Sequence, residues 1–302
     1  MVAWKSEKIV DAHQHFWDLG RGHNYPWLQD RPLGVGVCGD VTAIAEKSYL
    51  PVHLQTDAGG YDLVKSVHIE AVSSDPIEET RWLQELADRH GFPHGIVAAA
   101  QLHQTGIEAA LEAQRGFTNV RGIRHIVNWH NDPSLTFTER SDFLTDPAWL
   151  AGFGLLSKYD LSFDLQLYPS QMADAAVVAR AHPETLIILN HAGMPVDRDD
   201  AGVEQWREGM ASLAACDNVA VKISGLGMLD WHWSEDSIRP YVLETIDRFS
   251  TDRAMFGSNF PVDRLYSSFG ALYGAFERIV AGFSAVEQNK LFAGNALRLY
   301  RL

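Results

Sequence analysis

Short apolar runs rich in β-branched residues recur along the chain and alternate with longer segments whose apolar positions repeat at helical spacing. Eight runs read as strands: 9–13, 64–70, 95–100, 120–127, 162–167, 186–190, 219–223 and 253–257. Several are apolar on both faces, as in Leu186-Ile187-Ile188-Leu189 and Val219-Ala220-Val221. That pattern suits strands buried between a barrel interior and an outer helical layer. Helical patterns fill 76–90, 105–115, 147–159, 170–181, 203–216, 238–249 and 269–280. Asp75-Pro76 opens the first as an N-cap with proline at the first helical position, and Ser284-Ala-Val-Glu287 is a capping-box start for a short last helix. Eight strand–helix alternations predict an α/β fold: a (β/α)8 TIM-like barrel, a single domain over residues 1–302. The alternative is an open doubly wound sheet. The first connection, from Phe16 to Leu63, is unusually long. It holds a G-x-G-x-x-G from Gly34 to Gly39, but Asp30-Arg31-Pro32 stands where a nucleotide fingerprint needs a strand. The glycines therefore read as a surface loop.

In such barrels chemistry sits at the C-terminal ends of the strands, so the residues ending each run matter most. The first run ends in His13-Gln14-His15, and alternation puts both imidazoles on one face. Two imidazoles side by side are half of a metal site, or a clamp for a substrate oxygen. Further runs end in His68 and Glu70; Gln101 and His103; Arg124, His125 and Asn128; Asp164 and Gln166; Asn190 and His191; Lys222 and Ser224; Ser258 and Asn259. Polar groups gathered at one end of every strand carry a desolvation cost, and that distribution points to an enzyme. Each residue also has a plainer reading. His68 can face the helices and bond backbone; His103 and His130 can be surface histidines; Lys222 and Asp164 can be a structural charge pair. Arg124 and His125 are adjacent, so only one of them is expected to enter a pocket. Trp231 and Trp233 can be loop packing or pocket wall.

The 302 residues are 46% hydrophobic and 21% charged, the balance of a globular protein with a large core. A net charge of −14 without any basic block argues against nucleic acid as a partner. Cys38 and Cys216, the only cysteines, exclude a disulfide framework and a four-cysteine zinc site. No apolar run is long enough for a membrane span, and the first eight residues contain no signal-like segment, so a cytoplasmic protein is expected.

Seven segments follow in order along the chain: Asp11-Ala-His-Gln-His-Phe-Trp17, Pro26-Trp27-Leu28, Arg121-Gly-Ile-Arg-His125, Phe163-Asp-Leu-Gln166, Asn190-His-Ala-Gly-Met-Pro195, Phe256-Gly-Ser-Asn-Phe-Pro261 and Gly294-Asn-Ala-Leu-Arg-Leu-Tyr300. Together they resemble the amidohydrolase superfamily and, within it, the amidohydrolase-related lactonases such as the sugar-lactone and 2-pyrone-4,6-dicarboxylate lactonases. The resemblance implies a distorted (β/α)8 barrel that hydrolyses a cyclic ester, with His13, His15 and His191 as the histidine set. It argues against a binuclear centre, because Arg124/His125 and Asp164/Gln166 occupy positions where fuller sites carry metal ligands. Two readings stay open: one zinc ion on His13, His15 and His191, or no metal, with the histidines polarising the lactone carbonyl directly.

One position departs from the family. Asn259 stands where strand eight usually carries an aspartate, and an amide cannot take a proton at neutral pH. The base is then expected among Glu70, Asp164, Asp263 and the histidines. The expected mechanism places a small-molecule lactone in a pocket under the long first loop, lined by Trp17 and Trp27, with Arg124 and Lys222 binding its polar groups and Asn259 orienting the attacking water. No Gly-x-Ser-x-Gly elbow is present to support a serine nucleophile. The rivals are a metal-dependent decarboxylase or hydratase on the same barrel, and a non-catalytic sugar-acid binder. The lactone's identity and the oligomeric state are not legible.

Overall fold

Eight parallel strands lie in sequence order, each hydrogen-bonded to the next. They are β1 (Ile9–Gln14), β2 (Leu63–Ile69), β3 (Gly95–Ala99), β4 (Val120–Ile126), β5 (Ser162–Gln166), β6 (Ile187–Leu189), β7 (Val219–Ile223) and β8 (Ala254–Phe256). The computed structural model describes residues 8–21 and 24–302, and the sheet curls into a nearly closed α/β barrel. The open-sheet alternative is thereby excluded.

The helices lie where apolar spacing and caps put them. Asp75 accepts from Glu78 N at 3.1 Å and starts Pro76–His90, and Ser284 with Glu287 caps Ala285–Asn289. Two expectations needed correction. The helix expected over 147–159 stops at Gly154, and a separate 3-10 turn covers Ser157–Tyr159 before left-handed Asp160. The helix expected over 238–249 starts earlier, at Glu235, because Ser234 caps it through Ser237 N, a serine pair without the usual acidic third residue; Ser250, with φ of 59°, breaks it at the expected end before a further turn to Arg253. The long first connection carries three short helices, Pro26–Gln29, Thr42–Ala45 and Pro51–Ala58. Its glycines close a tight turn, Gly39 N donating to Gly36 O at 2.9 Å, away from any strand–helix junction. No helix among the described residues is long and apolar enough to cross a membrane.

Alternate faces of the strands bury separate cores. One packs against the helices, with Ile123, Phe163, Leu189 and Val221 on the strand side. The other, with Val10, Val67, Val97, Ile188, Ala220 and Met255, fills the interior and packs on Ala296, Leu299 and Tyr300 of the C-terminal segment.

The barrel closes at an irregular seam. β8 ends at Phe256, and the next residues bond to β1: Asn259 N to His13 O at 2.7 Å and His15 N to Phe260 O at 2.8 Å. Asp11 accepts from Ser258 N at 2.7 Å and Ser258 Oγ at 2.6 Å. Gly257 lets the segments approach, since a Cβ there would lie 2.8 Å from His13 Cβ and 2.9 Å from His13 N. Gly257→Ala should therefore destabilise the protein by about 2 kcal/mol or more, read as a lowered denaturation midpoint. An unchanged midpoint would show that the seam yields without strain.

Candidate functional site

The end of β1 carries the first two imidazoles. Val10 and Ala12 belong to the interior core, and a register irregularity between Asp11 and Gln14 then shifts the phase of the strand. His13 and His15 thereby meet on the site side, ring centroids 5.0 Å apart, while Gln14 turns to Ser66. His191 joins them from the turn after β6, its centroid 4.4 Å from that of His13. That turn is left-handed at His191, Ala192, Gly193 and Met194, and is held by Trp206 Nε1 donating to Ala192 O at 2.7 Å. Gly225 clears room for the ring, because a Cβ there would collide with His191 Nδ1. Among the described residues, five of the eight non-glycine residues with positive φ sit at this end of the barrel: Val72, His191, Ala192, Met194 and Asn259. Such strain persists only where the surroundings over-determine it, and it concentrates at functional sites.

Partners set where each imidazole carries its proton. His15 Nδ1 lies 2.7 Å from Ile69 O, a pure acceptor, so Nδ1 holds the hydrogen, and the other side of the ring pairs with the Asn259 side chain. His13 Nδ1 lies 3.2 Å from Lys222 Nζ, a pure donor, so the proton of His13 is on Nε2, which is buried without a partner. His191 Nδ1 pairs with Ser224 Oγ at 3.0 Å. Burial, then neighbouring cations, hold all three rings neutral: His15 is lowered to about 3, and His13 and His191 well below the usual histidine range.

Below the histidines lies a buried charge network. Lys222 pairs with Asp164, which also accepts from Tyr300 Oη at 2.9 Å. Burial lowers the Lys222 ammonium to about 8, and Asp164 opposes that shift. Across the site, Arg124 donates to Glu70 Oε1 at 2.6 Å and Gln166 Oε1 at 2.7 Å. His125, next to it, turns outward and accepts from Trp149 Nε1 at 2.9 Å. Asn259 donates through Nδ2 to Asp263 Oδ1 at 3.0 Å, which turns its carbonyl oxygen away from Asp263. Gly227 N and Met228 N also bond Asp263, yet burial pushes its carboxyl up to about 7.

A cavity of about 140 Å³ lies over the cluster. Its polar lining is His15, His191, Arg124, Gln166 and Asn259; its walls include Trp27, Val37, Met228 and Phe137. The other residues singled out in the sequence lie elsewhere. Lys222 is fully buried under His13 and does not line the cavity. Trp17 stands edge-on behind Trp27 at 5.6 Å and lines a separate groove with Lys47 and Arg264. Asp164 and Asp263 lie behind the lining residues, and Glu70 is bound to Arg124 and to Val72 N. His68 is buried, accepting from Phe16 N at 3.0 Å, and His130 pairs with Asp197. The wall residues Val37, Val72, Phe137 and Val262 come from loops and carry no sequence signal beyond being apolar.

The family model described as amidohydrolase matches residues 10–302. The chain belongs to the amidohydrolase family. An uncharacterised protein of Sinorhizobium fredii is 46% identical over 97% of this chain and 98% of its own length. An L-fucono-1,5-lactonase of Burkholderia multivorans is 30% identical over 97% of this chain and 96% of its own. The crystal structure of an amidohydrolase from Burkholderia multivorans with bound zinc superposes with a TM-score of 0.81 at 27% identity, covering 97% and 99% of the two chains.

Zinc in that structure raises the question of fit in this amidohydrolase. Among the described residues no three His, Cys, Asp or Glu are arranged to hold a metal ion. His13 turns a protonated Nε2, not a lone pair, away from Lys222, and both Lys222 and Arg124 place positive charge against the rings. A set of His13, His15 and His191 around zinc, one of the two readings of the sequence, does not fit this arrangement.

Asp263 has a measurable signature. Its folded value of about 7 lies above the ordinary 3.8, so the native state holds the proton more tightly. The stability it contributes is present at low pH and lost as pH rises from about 4 through 7. Asp11, raised to about 6 mainly by burial, acts in the same direction. Asp263→Asn should shrink the loss of unfolding free energy between pH 5 and pH 8 by about 1 kcal/mol or more, measured by urea denaturation. An identical loss in both proteins would refute a buried, proton-binding Asp263.

Proposed function

We propose that this amidohydrolase opens a lactone ring by attack of water on the carbonyl, without a resident metal. The observation that carries the reading is the opposed proton placement in one cluster. His15 presents Nε2 to the cavity beside the Asn259 side chain, while its Nδ1 is tied to Ile69 O at 2.7 Å. The lactonase relative, 30% identical over nearly full length, supports the same chemistry.

Water enters from the cavity in front of the His15–Asn259 pair, donating one hydrogen to His15 Nε2 and the other to the carbonyl oxygen of Asn259. Asn259 thus orients the water and does not act as the base, which suits an amide. The lactone carbonyl points to Arg124 and His191. Arg124 donates to the developing oxyanion, with His191 beside it, its ring fixed by the 3.0 Å pairing of Nδ1 with Ser224 Oγ. A ground-state value of about 3 makes His15 a weak base, but negative charge growing on the substrate offsets the field of Arg124 and strengthens it as the proton moves. The water oxygen bonds to the carbonyl carbon, the ring C–O bond breaks, and His15 returns the proton to the departing alkoxide. Hydroxy acid is the only product.

His15→Ala should lower kcat/KM on an accepted lactone by about 10² to 10⁴. The assay is a panel of sugar-acid and carboxylated lactones, followed by acid release with a pH indicator. Full activity in the variant would remove His15 from the chemistry. Dialysis against 1,10-phenanthroline, with metal content measured, should leave kcat/KM unchanged. Loss of activity restored by zinc would overturn the metal-free reading, and turnover of no lactone would overturn lactone opening itself.

A further inference from the structure

A second, larger chamber of about 380 Å³ opens beside the cavity over the histidines, and Val72, Arg124, Ile126 and Phe137 line both. The two chambers differ in chemistry. Apolar side chains roof the first, whereas Gln101, His103, Gln104, His125 and Glu139 line the second. Among the described residues, no hydrogen bond or ion pair engages the side chains of Gln101, Gln104 or Glu139. His103 Nδ1 is buried without a partner. His125 accepts at Nδ1 from Trp149 Nε1 and Leu102 N, so its proton is on Nε2. The chamber therefore offers donors and acceptors that the fold does not use.

The sill between the chambers is itself unusual. Val72 and Phe137 are 46% and 44% exposed, large apolar groups left open to solvent. Val72 also has φ of 57°, a left-handed conformation that a β-branched residue rarely adopts, held by its N–H donating to Glu70 Oε2 at 2.7 Å. A ligand spanning both chambers would cover these two side chains.

We infer that the second chamber is a subsite for a neutral, hydroxyl-rich substituent, so that the preferred substrate is a lactone bearing a glycosyl group. The lactone ring lies over His15 and His191, and the substituent crosses the Val72–Phe137 sill to reach Gln101, Gln104 and Glu139. Charge argues for a neutral group. Arg124 is engaged by Glu70, and no lysine or other arginine lines the chamber, where Glu139 would repel a carboxylate. Hydroxyls, both donor and acceptor, match amide, imidazole and carboxylate partners together.

This inference rests on the lactone-opening reading, and one experiment separates the two. Rates above spontaneous hydrolysis are compared for glucono-1,5-lactone, its glycosylated counterparts cellobiono- and maltobiono-1,5-lactone, and the carboxylated glucaro-1,4-lactone. At least one glycosylated lactone should exceed gluconolactone in kcat/KM by about tenfold or more, the worth of one well-made hydrogen bond, and glucarolactone should show no such gain. Gln101→Ala/Gln104→Ala should reduce kcat/KM for the glycosylated lactone by a factor about ten times larger than for gluconolactone. Turnover of gluconolactone with no glycosyl preference, a preference for glucarolactone, or equal loss on both substrates in the variant overturns the subsite and leaves lactone opening standing. Absence of turnover on all four overturns the subsite, and absence on the whole lactone panel as well, with the protein shown folded by circular dichroism, overturns both.

Discussion

Lys222 carries its charge inside the barrel, where removing an ammonium from water costs several kcal/mol unless it is paired and hydrogen-bonded. Asp164 supplies the pairing, Tyr300 supports Asp164 from the C-terminal segment, and His13 Nδ1 takes a further hydrogen bond. Each link restricts the next. A protonated lysine forces the proton of His13 onto Nε2. The same positive charge, with that of Arg124, disfavours imidazolium throughout the cluster. The neutral histidines above are thus a consequence of the charge below them, and so is their poor match to a divalent ion.

Conformational strain lies on the opposite side of the balance. The turns after β2, β6 and β8 hold Val72, His191 and Asn259 in left-handed backbone conformations. Fixed partners hold two of these turns: Glu70 for Val72, and Trp206 for the His191 turn. These three residues line the cavity, and β6, beneath His191, pairs with both neighbours without a register shift. Rigid scaffold and strained rim together fix side-chain directions without relying on loop packing alone.

The strands and outer helices were legible in the sequence because two-sided apolar runs, N-caps and prolines each act within a few residues. All eight strands fall within one or two residues of their expected positions. The gathering of His13, His15 and His191 followed from strand-end placement. The proton positions did not, because they depend on contacts such as His13 with Lys222, separated by 209 positions. Lys222 and Trp17 were expected to touch substrate and lie behind the lining residues instead. Their residue types suit either role, and only the direction of the side chain decides. The second chamber was invisible for a similar reason: Gln101, Gln104 and Glu139 are ordinary loop residues until the fold sets them around one space.

The seam between β1 and the residues after β8 joins positions 247 apart, Asp11 to Ser258, and it also orients His13, His15 and Asn259. Contacts of such sequence separation are the slowest to form, because loop closure must precede their reward. A chain with seven strands in place would have a core, helices and most of its polar rim, yet no aligned imidazoles. Recovery of function on refolding would therefore lag behind recovery of secondary structure, since the reacting groups come into register only when the last strand meets the first.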